Sequence, residues 1–305
     1  MKRWILPSLI LVFAAGAIVL SQMQKADAPV SPAALFRWLA GVENEAARVP
    51  ASATRLTETQ EIQIGDYLAA IYSDIFAPYG PDDKAIAATV QQLGLRLSAY
   101  AHRKLPYRFY YNPNPDFINA FSLPGGSVFI GRGLIQLMDS EDELAFVLGH
   151  EIEHIDHYHC AERVQAFELL KRIPLGGLVA IPVEVFEAGY SKDQELEADL
   201  EGTRLAVAAG YSPLGAIQIL EKLDRLHKER LAPPKTIRQE LSRAALETLS
   251  GYFASHPPTE ERAAEIRKMI FEEDWKTLPP ERKLPAKEVL KVRKAEVSSS
   301  LAPAK

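Results

Sequence analysis

SEDELAFVLGHEIEHIDHYHCAERVQ, residues 140–165, reads as one long helix with a strongly apolar face. Ser140 opens it as an N-cap, and Glu143 stands where a capping box needs an acid. His150 and His154 are four residues apart, so both imidazoles project from one face and can grip a single Zn²⁺. Glu151 lies beside them, placed to take a proton from a water that the metal activates. The AFVLG run before His150 argues against a solvated surface pair.

Two histidines leave a zinc site short of a third protein ligand. SKDQELEADLEGTRLAVAAGY, residues 191–211, opens a second apolar-periodic helix. Glu195 and Asp199 share a face at i and i+4. Glu195 can reach the metal, and Asp199, one turn on, can orient a ligating imidazole. Taken alone, this segment is an acidic helix start favoured by the helix dipole. Together with His150 and His154 it gives a His₂Glu site with one position open for water. Glu197 points elsewhere and reads as solvated.

Working outward, residues 57–72 and 84–101 carry apolar residues at helical spacing. Residues 107–111 (YRFYY) alternate as a strand, 117–123 (FINAFSL) continue the β character, Pro124-Gly125-Gly126 makes a turn, and 127–130 (SVFI) returns. A short helix at 133–138 precedes the long one, and further helices are expected at 193–209, 213–227, 237–254 and 259–273. Helices around a small sheet predict an α+β fold, mainly helical.

The 305 residues are 47% hydrophobic and 25% charged with a net charge of −5, an ordinary globular composition. With pI near 5.9 there is no global basic footprint, which argues against nucleic acid as a partner. Cys160 is the sole cysteine, so an intrachain disulfide framework and a Cys-rich zinc ribbon are excluded. After Met1-Lys2-Arg3 the chain runs from Trp4 to Gln24 without a charge, which predicts a signal peptide or an N-terminal membrane anchor over 1–24. Lys2 and Arg3 would stay cytoplasmic, placing the remainder on the outer face of the inner membrane. Residues 25–56 read as an Ala/Pro/Ser-rich tether, 57–274 as one zinc metallopeptidase domain, and 275–305 as a basic, Pro-containing tail.

Four ordered blocks, TETQEIQIG (57–65), INAFSLPGGSVFIGRGLI (118–135), SEDELAFVLGHEIEHIDHYH (140–159) and SKDQELEADLEGTRLAVAAGY (191–211), resemble the zinc metallopeptidase family of the CAAX prenyl protease, the HtpX heat-shock protease and the BepA-type periplasmic proteases. The resemblance covers roughly residues 57–270. It implies a gluzincin fold, one Zn²⁺ per chain, and metalloendopeptidase action on cell-envelope proteins as quality control. Unfolded or membrane-associated proteins would be the substrates. Its ExxxD element falls on Glu195 and Asp199. It also implies that a strand bordering the cleft receives substrate as an added β-strand, a part assigned to Gly126, Ser127, Val128 and Phe129.

SHPPTEER (255–262) resembles the relatives' His-Pro segment with its following arginine. His256 would then approach the open zinc position or donate to the tetrahedral intermediate, with Arg262 in support on the substrate side. His-Pro as a simple turn and Arg262 in a salt bridge is the equal alternative. Of the remaining histidines, His159 sits five residues past His154, off the metal face, and reads as packing or hydrogen bonding. His157 reads as exposed, and His102 and His227 as isolated. The apolar segment 173–187 is too short and too broken by prolines and glycines to span a bilayer, unlike the fully embedded relatives. A reading of another class remains beside the enzyme: an envelope chaperone or assembly adaptor that binds misfolded clients with little proteolysis.

Overall fold

A computed structural model of the protein describes residues 56–74, 76, 79–171, 189–231, 250–256, 260–273 and 275. The N-terminal segment, nearly all of the tether, the 173–187 segment, residues 237–249 and nearly all of the tail lie outside them. The described residues form helices α1 (Glu58–Asp74), α2 (Pro81–Ser98), α3 (Arg132–Leu137), α4 (Glu141–Asp156), α5 (His159–Lys171), α6 (Lys192–Ala208), α7 (Leu214–Leu231), α8 (Ser250–Ser255) and α9 (Glu260–Glu272). Strands β1 (Arg108–Asn112), β2 (Ala120–Leu123) and β3 (Ser127–Gly131) complete them. The architecture is α+β and mainly helical. Among the described residues no helix is long and apolar enough to cross a membrane.

The sheet is ordered β1-β3-β2, with β1 parallel and β2 antiparallel to the central β3. Pro124-Gly125-Gly126 makes the β2–β3 turn as its sequence predicts. Gly125 adopts a φ of 81°, a left-handed conformation that a side chain would strain. Tyr110 and Phe121 both oppose Phe129 in register and stack on it, at centroid distances of 4.5 and 4.8 Å. This aromatic row runs across all three strands and fixes the register of the sheet.

Helix α4 lies at the centre, buried from Asp142 to Asp156. A helix enclosed on all sides has to pair its polar residues. The capping box forms: the Ser140 hydroxyl accepts from the Glu143 amide, and the Glu143 carboxylate accepts from the Ser140 amide, each at 3.2 Å. Asp142 accepts from the Ser212 amide at 2.8 Å, and Lys222 Nζ lies 2.9 Å from Glu143 Oε1. Helix α6 starts with the same device, Ser191 against Gln194.

α4 and α6 touch backbone to backbone. A Cβ on Gly202 would sit 2.7 Å from the His150 amide nitrogen, and one on Gly149 would sit 2.8 Å from the Gly202 carbonyl oxygen. Glycine at both positions brings the two ligand-bearing helices close enough for short side chains to meet.

The single helix expected over 140–165 is two. α4 ends at Asp156, Tyr158 takes a φ of 65°, and α5 begins at His159. Neither glycine nor proline marks the break. Arg103 holds it from outside: its Nη1 donates to the Ile155 carbonyl at 2.9 Å, and its guanidinium lies 4.0 Å from the centre of the Tyr158 ring.

A candidate metal centre

His150 and His154, one turn apart on α4, aim their Nε2 atoms at the same point, 3.0 Å from each other. Glu195 enters from α6, with Oε2 3.7 Å from His150 Nε2 and Oε1 3.4 Å from His154 Nε2. Ligands at about 2.05 Å from a tetrahedral ion are about 3.3 Å apart, and the imidazole separation and the approach of one Glu195 oxygen to each ring are of that size, which suits one divalent cation. The donor chemistry fits as well: two imidazoles and one carboxylate, all buried. His256, from the end of α8, adds a fourth donor, since one atom from each of His150, His154, Glu195 and His256 lies within 4.8 Å of the others.

The surrounding charges are arranged around these donors. Asp199 Oδ1 lies 3.0 Å from His150 Nδ1. Arg262 grips Asp199 with two bonds, Nε to Oδ2 at 2.5 Å and Nη2 to Oδ1 at 2.7 Å, and its Nη1 lies 3.1 Å from Glu195 Oε2. Burial alone would push both carboxyls up. For Glu195 the charges of His256 and Arg262 outweigh burial and hold its pKa well below the usual carboxylate range. Arg262 does the same for Asp199. Burial pushes the His154 imidazole well down, which keeps it neutral and able to ligate, and brings His159 down to about 3. His256 moves the other way, because Glu195 and Glu151 together outweigh its burial.

Glu151 lies beside the same cluster. Its Oε2 accepts from the Ser122 hydroxyl at 2.9 Å, and its Oε1 lies 3.4 Å from His256 Nε2. Ser122 in turn lies 3.4 Å from Cys160 Sγ, which is 3.3 Å from the Tyr190 hydroxyl. Tyr190 stacks on the His154 ring at 3.7 Å and an interplanar angle of 16°. Sequence reading passed over Ser122 and Tyr190. The one available signal was a single hydroxyl within the otherwise apolar strand Ala120–Leu123, since a buried polar group needs a partner.

The structure thus brings together His150, His154, Glu195, Asp199, Glu151 and His256, and it bears on two further expectations. β3 is paired on both sides, so Ser127, Val128 and Phe129 have no open main-chain edge to offer a substrate, and the Gly126 carbonyl just before it accepts from the Arg108 amide at 2.9 Å. Among the described residues β2 is the edge strand beside the cluster, and its Ala120 carbonyl lies 3.4 Å from His256 Nε2. Of the two readings of Arg262, the structure shows the salt bridge: the guanidinium is buried against Asp199 and Glu195. Glu197 is half exposed as expected but is engaged, lying 3.2 Å from both His157 Nδ1 and His159 Nε2. His102 is exposed, and His227 packs edge-on against Phe253.

The family profile described as Peptidase family M48 matches residues 84–270. The beta-barrel assembly-enhancing protease of Escherichia coli (strain K12) is 26% identical over 231 residues, which cover 68% of this chain and 43% of that protein. The mitochondrial metalloendopeptidase OMA1 of Arabidopsis thaliana is 32% identical over 126 residues, 39% of this chain and 26% of that protein. The mitochondrial metalloendopeptidase OMA1 of Bos taurus is 35% identical over 116 residues, 32% and 22% respectively. The chain spans less than half the length of these curated relatives.

Proposed function

The chain belongs to peptidase family M48, and from that premise we propose that it is a zinc-dependent endopeptidase whose catalytic apparatus is the buried cluster on α4 and α6. One observation carries this reading: His150, His154 and Glu195 converge with their donor atoms 3.0 to 3.7 Å apart, with Asp199 behind His150 and Glu151 alongside. His150, His154 and Glu195 would hold one zinc ion. Bound there, zinc supplies Lewis acidity, polarising a scissile carbonyl and making water acidic enough to be deprotonated near neutral pH.

The chain's own residues do the rest. Glu151 takes a proton and returns it to the leaving amine, and the Ser122 hydroxyl fixes the carboxylate that does so. Asp199 sets the orientation of the His150 ring, and Arg262 holds Asp199 and Glu195 in place rather than touching substrate. The substrate strand adds to β2, the edge next to the cluster.

Envelope proteins, unfolded or membrane-associated, are the proposed substrates. The charge-free run from Trp4 to Gln24 supports this placement at the cell envelope, and the Escherichia coli relative is named for beta-barrel assembly. Removing the metal is the direct test. A chelator is expected to lower casein cleavage by at least about 10²-fold, with one equivalent of Zn²⁺ restoring it. Cleavage that survives in protein stripped of metal would reject the reading.

The position of His256 favours one further element. Its Nδ1 is 3.0 Å from Glu195 and 3.3 Å from His150 Nε2, while its Nε2 faces the Ala120 carbonyl. It therefore occupies the fourth corner of the ligand set and covers the edge of β2. In this reading the resting enzyme is closed by His256. Casein cleavage should rise on His256→Ala; a fall would show instead that His256 serves the reaction as a donor to the developing oxyanion.

A further inference from the structure

The two ligand histidines are oriented by different means. His150 has a carboxylate, Asp199, directly at its Nδ1. His154 has another imidazole: its Nδ1 lies 2.9 Å from His159 Nδ1, and both rings are buried. The far nitrogen of that second ring, His159 Nε2, lies 3.2 Å from Glu197 Oε2. The other oxygen of Glu197 faces His157 Nδ1 at 3.2 Å, and His157 Nε2 faces Glu153 at 3.2 Å.

Hydrogen-bond direction along this row has a single solution once His154 ligates through Nε2. A neutral imidazole bound at Nε2 carries its proton on Nδ1. His154 must then donate to His159 Nδ1, which has to be the acceptor. The proton of His159 is thereby placed on Nε2, where Glu197 can receive it. Glu197 therefore fixes the tautomer of His159, and His159 fixes the tautomer and ring plane of His154.

The break in the helix makes this arrangement possible. Were α4 to continue, His159 would lie about 140° round the axis from His154 and the two rings could not meet. The left-handed turn at Tyr158, pinned by Arg103, swings His159 back over its neighbour. A tyrosine at positive φ is costly, and such strain persists only where the surroundings impose it.

The geometry assigns His159 as a positioning residue for the metal ligand His154, with Glu197 as its carboxylate anchor. This rests on the proposed metal site and deepens it. The test uses the full chain, stripped of metal and titrated with Zn²⁺ against a chromophoric chelator. His159→Phe keeps the ring but removes the acceptor, and is expected to weaken zinc binding by about 10- to 100-fold. His159→Asn places an oxygen near the position of Nδ1 and should recover most of that loss. The metal-free unfolding midpoints of the two variants should match, since the deficit lies in ligand orientation. Zinc binding by His159→Phe as tight as wild type would overturn the assignment. So would equal losses in both variants accompanied by equally lowered metal-free midpoints, which would mean a packing role. Wild-type protein that binds no zinc would bring down the metal site itself, and the assignment with it.

Discussion

Arg262→Ala is expected to lower the stability of the metal-free protein by about 3–5 kcal/mol, the usual cost of leaving buried charge uncompensated. Three of the Arg262 nitrogens face two carboxylates that have almost no access to water: Asp199 is fully buried and Glu195 nearly so. Dispersion lost with the side chain is small beside this. Arg262→Lys should recover part of the loss, because one ammonium supplies charge but cannot reproduce the paired bonds to Asp199.

The pH dependence of the loss separates a charge effect from a packing effect. In the wild type both carboxyls titrate below their ordinary values. Their stabilising contribution is therefore present above the carboxylate range of the unfolded chain and lost as pH falls through the lower, folded values. Without Arg262, burial dominates at Asp199 and pushes its pKa up, so ionised Asp199 now costs stability. The deficit of the variant should be largest near neutral pH and shrink as acid protonates the carboxyls. Urea unfolding of both proteins at several pH values measures it. A deficit independent of pH would assign the effect to packing.

Much of this site was legible because helical periodicity turns spacing into position. His150 with His154, and Glu195 with Asp199, each needed only the rule that i and i+4 share a face, and Ser140 announced the start of the first helix. What stayed hidden depends on partners distant in the chain. Arg103, 55 residues before Tyr158, stabilises the break that repositions His159, and nothing within HIDHYHC signals it. The central place of β3 follows from its parallel pairing with β1, which local alternation cannot reveal, and it leaves β2 rather than β3 as the strand proposed to receive substrate. For Arg262 the sequence left substrate support and a salt bridge as equal alternatives, because the carboxylates that decide for the salt bridge lie 63 and 67 residues upstream.

Glu151→Gln carries the second large effect. Glutamine keeps the shape of the side chain, and its amide oxygen can still accept from Ser122, so the fold and the cluster of His150, His154 and Glu195 are left as they are. Only the capacity to take and return a proton is removed. Positioned acid–base groups contribute about 10²- to 10⁴-fold, and a loss within or above that range is expected. An adaptor that merely binds clients would be indifferent to this substitution.

The most direct measurement is the initial rate of casein cleavage by wild type and Glu151→Gln at matched zinc content, with His256→Ala as the common background so that the ligand position is open. The account predicts equal zinc in both proteins and a rate lower by at least about 10²-fold in the variant. Equal zinc with an undiminished rate would contradict it.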